Sequence, residues 1–228
     1  MNRIKVNLIA HSDPTAVINA MGKPYKNEKV TTELIKRICL GEKLAERHGS
    51  VLEHITLTWE VLGSSRLELQ EHMRHRIASP TVESTRYVLD KMMLQYENRG
   101  WAFAPVKDYF VFPDLSNTDW SDEKKAKFDE MYAEKCRANL DSIYAFFKTF
   151  YTTKKDNDTI KYVLPENLRT NFTFTLNFRS FINFIRLRNS SAAHFEIRYI
   201  ARLMLEELKQ TWLWELIEDQ FDEDLCPK

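Results

Sequence analysis

The run Arg74-His75-Arg76-Ile77-Ala78-Ser79-Pro80-Thr81-Val82-Glu83-Ser84-Thr85-Arg86-Tyr87 decides how the rest of the chain is read. It gathers three guanidinium groups, an imidazole and two serine hydroxyls around a proline. Each arginine offers a planar fork of N–H donors, so the cluster suits a phosphate, a carboxylate or an electron-rich ring. An isolated Arg-His-Arg is ordinarily a solvated basic turn. Here the spacing to Ser84, with seven residues between, and the segments found elsewhere in the chain argue for a site.

Upstream stands His48-Gly49-Ser50-Val51-Leu52-Glu53-His54, and downstream stand Asn177-Phe178-Arg179, Asn183 and Arg188. In this order the three segments resemble the His-x-Ser/Thr-x-x-Glu-His segment, the Arg-His-Arg-x7-Ser signature and the Asn-x-Arg, Asn and Arg positions of the flavin-dependent thymidylate synthases. The resemblance implies an α+β fold without a Rossmann unit, with helices on a twisted mixed or antiparallel sheet, assembled as a homotetramer that shares its active sites. It implies a methyltransferase that converts dUMP to dTMP, with methylenetetrahydrofolate as carbon donor, FAD as cofactor and NADPH as reductant. It places Ser50, Arg74, His75, Arg76, Asn177, Arg179 and Asn183 on FAD. Arg74, Ser84, Arg86 and Lys161 fall to the nucleotide. His48 is placed beside flavin and folate. Arg188 becomes the candidate that makes the pyrimidine electron-rich, since a guanidinium within about 4–6 Å favours a deprotonated N3. The alternative for Arg188 is a salt bridge to Glu196.

Composition agrees with a site that is local. Thirty-three basic residues balance thirty-three acidic ones, so no global field favours a duplex or an anionic membrane. The length of 228 residues, 43% of them hydrophobic, suits a single domain spanning 1–228 with a substantial core. Three scattered cysteines without a CxxC pair argue against a disulfide framework or a zinc site. The start MNRIKVNLIA lacks the apolar core of a signal peptide, and no apolar run approaches the roughly 18 residues of a membrane helix; a cytoplasmic protein is the expectation. With only five glycines, no G-x-G-x-x-G or Walker loop can be written, so side chains must hold any dinucleotide.

Along the chain, alternation predicts strands over 4–9, 54–61 and 171–176. Gly63-Ser64-Ser65 should break the second strand. Ser65 with Glu68 forms a capping box for a helix to about Ile77, which Pro80 ends, leaving Ser84 and Arg86 in a loop that shares a pocket with Arg74. Helices are predicted over 31–48, 122–151 with Phe128, Met131, Ile143 and Phe147 inward, 178–188, and 192–222. On the 178–188 helix, Arg179 and Arg188 stand roughly 180° apart and so face different ligands or different copies of a site.

Glu71, Thr81, Val82 and His194 depart from the family's common pattern. A carboxylate at Glu71 or Glu83 beside the base could accept from the exocyclic amine of cytosine, which makes methylation of dCMP the second reading and both glutamates candidate substrate contacts. A nucleic-acid-binding module is disfavoured by net neutrality. A flavin-binding relative that has lost catalysis is the remaining alternative.

Overall fold

Hydrophobic alternation builds the sheet. The computed structural model describes residues 4–25, 31–40, 49–99, 105–116, 118–223 and 225–226. Its strands are β1 (Lys5–His11), β2 (Thr56–Ser65), β3 (Ser79–Val82) and β4 (Arg169–Asn177), in the order β1-β2-β4-β3. In β2 the side chains of Leu57, Trp59 and Val61 are buried while Thr58 and Glu60 are partly exposed, the period-two pattern of a strand with one covered face. β1 runs antiparallel to it, with Lys5 opposite Leu62 and His11 opposite Leu57.

The helices are α1 (Pro14–Tyr25), α2 (Thr32–Leu40), α3 (Arg66–His72), α4 (Thr85–Asn98), α5 (Asp122–Phe150), α6 (Asn157–Ile160), α7 (Phe178–Arg188) and α8 (Phe195–Leu208). The fold is α+β. The chain divides into two compact units. The first is built on Gly63–Leu69 and Val82–Asn171, the second on Arg3–Leu62, Gln70–Thr81 and Phe172–Lys228.

In the second unit α7 buries Phe178, Phe181, Phe184 and Ile185, the i, i+3, i+4 stripe of an amphipathic helix. Trp59 of β2 stacks on Phe181 with ring centroids 5.5 Å apart. In the first unit Leu89, Met93 and Tyr96 of α4 pack with Cys136, Leu140, Ile143 and Phe147 of α5.

Several expectations need correction. β2 does not stop at Gly63 but runs through Ser65: Gly63 takes φ 75°, a conformation open to glycine, with its N–H donating to Asn171 Oδ1 at 2.8 Å and its carbonyl accepting from Arg169 Nη1. Ser65 does cap α3, its hydroxyl accepting from the Glu68 backbone N–H at 3.0 Å. That helix ends at His72, well before Ile77. Pro80 lies in the edge strand β3, where its missing N–H costs no ladder bond. Ser84 and Arg86 are not in a loop: Ser84 is the N-cap of α4 and Arg86 lies in its first turn. Met131 is 60% exposed, whereas Ile143 and Phe147 are buried as expected. The last helix stops at Leu208 and gives way to 3₁₀ turns at Trp214–Leu216 and Glu218–Gln220. Of the predicted 31–48 helix, residues 41–48 lie outside the described residues.

Candidate active site

The second unit contains a pocket of about 720 Å³. The turn after α3 supplies Arg74, His75, Arg76 and Ile77; β4 supplies Leu176; α7 and the turn after it supply Ser180, Asn183, Leu187, Arg188 and Ser190, with Ala192 and Ala193 closing the lining. Two motifs far apart in sequence thus meet at one cavity. The local reason is the ending of α3. His72, fully buried, inserts its ring among Phe172, Phe174 and Phe184 at centroid distances of 4.8–4.9 Å, and the chain turns away after it. That turn delivers the Arg-His-Arg tripeptide to the pocket wall.

Arg188, the last residue of α7, is the best-anchored cation there, its side chain only 16% exposed. Its Nη1 donates to Glu71 Oε2 at 2.7 Å, its Nε to His75 Nε2 at 2.9 Å and its Nη2 to the Glu71 backbone carbonyl at 3.3 Å. The salt-bridge partner is therefore Glu71, not Glu196. Because His75 Nε2 accepts, its proton sits on Nδ1 and the ring is neutral. Burial, followed by the neighbouring Arg188 charge, lowers the His75 pKa from 6.5 to about 4. The ring's face is fixed by an edge contact with Phe184 at 4.8 Å.

Arg74 is 73% exposed and only loosely paired, with Nη1 3.8 Å from Glu71 Oε1. Arg76 is exposed and enters no ion pair among the described residues. These two guanidiniums give the pocket its positive rim, while Glu71 neutralises Arg188.

The remaining candidates are placed differently. Asn177 caps α7, its Oδ1 accepting from the Ser180 N–H at 2.8 Å. Arg179 donates to Glu53 Oε1 at 2.7 Å and lies over Gly49, so it and Arg188 point to opposite sides of α7, as the helical spacing required. Ser50 is exposed in the 3₁₀ turn Gly49–His54. None of Ser50, Asn177 and Arg179 lines the pocket. His48 lies outside the described residues.

In the first unit Arg86 and Lys161 do come together, on Asp158. Arg86 Nε donates to Asp158 Oδ1 at 2.8 Å and its Nη2 to Oδ2, and Lys161 Nζ reaches Oδ1 at 3.1 Å. The two cations hold the Asp158 pKa down at about 2. The buried Asn157 side chain donates to the Arg86 carbonyl at 2.9 Å and fixes the start of α4. Glu83 is bound to Asn171, whose Nδ2 donates to its carboxylate and whose carbonyl accepts its backbone N–H. Asp158 was missed in the sequence. Its spacing three residues before Lys161 was the available signal.

The family described as Thymidylate synthase complementing protein matches residues 7–212. The flavin-dependent thymidylate synthases of Campylobacter jejuni and Wolinella succinogenes are 37% and 35% identical to the chain, over 78% and 77% of it and 75% and 76% of their own lengths. A crystal structure of flavin-dependent thymidylate synthase from Helicobacter pylori complexed with FAD and dUMP is similar at a TM-score of 0.72 and 25% identity, covering 97% of this chain and 99% of that one. The motifs, the α+β fold and these likenesses agree: the chain belongs to the flavin-dependent thymidylate synthase family.

Proposed function

We propose that this protein binds FAD in the second unit's pocket and converts dUMP, methylenetetrahydrofolate, NADPH and a proton to dTMP, tetrahydrofolate and NADP⁺. The observation that carries the reading is the meeting of Arg74, His75, Arg76, Asn183 and Arg188 at one cavity. The pocket suits a flavin dinucleotide: two arginines with little internal pairing offer counter-charge to a pyrophosphate, while Leu176, Ile77 and Leu187 offer apolar surface to a planar ring. Ile77 and Leu187, both largely exposed, are the surfaces a bound ring would cover. When bound, the flavin supplies the hydride carrier.

The chain's own residues have separate tasks. Arg74 and Arg76 hold the dinucleotide's phosphates, with Asn183 donating or accepting at the rim. Arg188 stabilises negative charge on the pyrimidine as N3 gives up its proton. Ser84, Arg86 and Lys161 hold the nucleotide phosphate, with Asp158 keeping the two cations together. Asp158 takes the Nε and Nη2 edge of Arg86, and Tyr87 is a further hydrogen-bond partner of the guanidinium. Ser50, Asn177 and Arg179 contribute to FAD from outside the pocket, His48 to flavin and folate. The α7 arrangement, with Arg179 and Arg188 on opposite sides, supports a homotetramer in which neighbouring copies complete each site. Cytoplasmic location and a single family domain across both units belong to the same proposal; the family match runs through both. Among the described residues no helix is long and apolar enough to cross a membrane.

Glu71 and Glu83, the carboxylates that favoured dCMP, each have one oxygen engaged by a donor of the protein itself, which gives them a role other than binding a cytosine amine. Mass spectrometry of purified protein incubated with methylenetetrahydrofolate, NADPH and either dUMP or dCMP tests this. The expected product is dTMP, dependent on both co-substrates. Methylation of dCMP alone would overturn the assignment of the base.

A further inference from the structure

Arg188 is a long, flexible side chain at a helix end, yet three of its N–H groups are already bound. A guanidinium carries five N–H groups, so two remain. The acceptors come from one short stretch of chain: the carboxylate and the backbone carbonyl of Glu71, and the ring of His75. The carbonyl lies at the end of α3, where it also accepts from the Arg74 backbone N–H at 3.4 Å. The side chain lines the pocket.

We propose that Glu71 and His75 are positioning residues that clasp the Arg188 guanidinium and present its two remaining N–H groups to the pocket. Glu71 then acts through Arg188 and does not touch the base. Its Oε2 accepts from Arg188, and its Oε1 lies 3.8 Å from Arg74 Nη1, so the carboxylate is directed at the protein's own cations. Holding the guanidinium in place before the ligand arrives removes the need to order it during the reaction. A neutral His75 is required, because a protonated ring would repel Arg188 and lose its acceptor. The charged and titratable groups facing it are Arg188, His72, Glu71 and Arg74.

The clasp has a readout separate from catalysis. Its kinetic part rests on the function proposed above, whereas the titration does not. Histidine side chains labelled with ¹³C and ¹⁵N are titrated by NMR in wild type, Arg188→Met and Glu71→Met, with His75 assigned by its loss in His75→Asn. Removing Arg188 takes away a cation and should raise the His75 pKa by about one unit or more. Glu71→Met removes a carboxylate that itself raises the His75 pKa, but it also releases Arg188, whose opposite effect is the larger; the clasp predicts a net rise, smaller than in Arg188→Met. Glu71→Gln, which loses the same charge but keeps an acceptor oxygen for Arg188, should leave the pKa unchanged or lower it. Turnover of dUMP should fall about tenfold or more in Glu71→Met, with KM changed by less than about threefold. A His75 pKa that stays or falls in Glu71→Met overturns the clasp, and so does an unchanged turnover alongside a shifted His75. Should Glu71→Met fail to fold, Glu71→Asp, whose shorter arm withdraws the carboxylate from Nη1, is read the same way. A wild type that makes no dTMP but shows the predicted titrations would refute the proposed reaction and leave the clasp standing.

Discussion

Replacing Arg188 by lysine keeps a charge and removes the fork. A single ammonium cannot serve His75 Nε2, the Glu71 carboxylate and the Glu71 carbonyl in one plane, nor keep a pair of donors facing the pocket. Arg188→Lys should therefore lower the turnover of dUMP by about tenfold or more, read from steady-state dTMP formation. The same residue makes His75 a source of pH dependence. The His75 pKa lies near 4 in the folded chain against 6.5 for a free histidine, so the unfolded chain binds the extra proton between those values. Its contribution to stability is full above pH 6.5 and is lost as pH falls toward 4. Denaturation midpoints measured across that window should rise with pH, and Arg188→Met should flatten the rise. At this scale the tripeptide and Arg188 were legible in the sequence as ligand-binding types. The partner of Arg188 was not, because Glu71 and Glu196 are equally plausible carboxylates until α3 is seen to end at His72.

The elements whose residues alternate or repeat cleanly were legible: β1, β2, β4, α5 and α7 appear within a few residues of their predicted bounds. α4 was missed although Ser84 stands at its N-cap and Leu89, Met93 and Tyr96 recur at helical spacing. The buried Asp90 among them obscures the stripe; in the structure it accepts from Tyr151 at 3.3 Å and Asn157 at 3.4 Å, tertiary partners no local pattern reveals. α3 was read too long because Pro80 was taken as its stop signal, whereas the chain turns away at the aromatic box around His72. Gly63 is the element-scale test. Its φ of 75° disfavours any side chain, so Gly63→Ala should destabilise by about 1 kcal/mol, measured as a shift in urea midpoint at constant slope. Ser65→Ala, which removes the α3 cap, should cost about 1 kcal/mol in the same assay.

For the whole molecule, composition indicated an ample core but not its division between two units. In the first unit Leu140, fully buried among α4 and α5 side chains, is a sensitive point; Leu140→Ala should cost about 2–5 kcal/mol by calorimetry or denaturant unfolding. The scarcity of glycine had already implied that side chains, not a phosphate loop, would hold any dinucleotide. The pocket of the second unit supplies such side chains, with Arg76 exposed and free of ion pairs among the described residues. The direct test of that idea is a fluorescence titration of FAD into flavin-free protein, comparing wild type with Arg76→Met. Saturable binding by wild type, about tenfold or more weaker in the variant, is the predicted result. Equal affinity in the two proteins, or no binding by wild type, would contradict it.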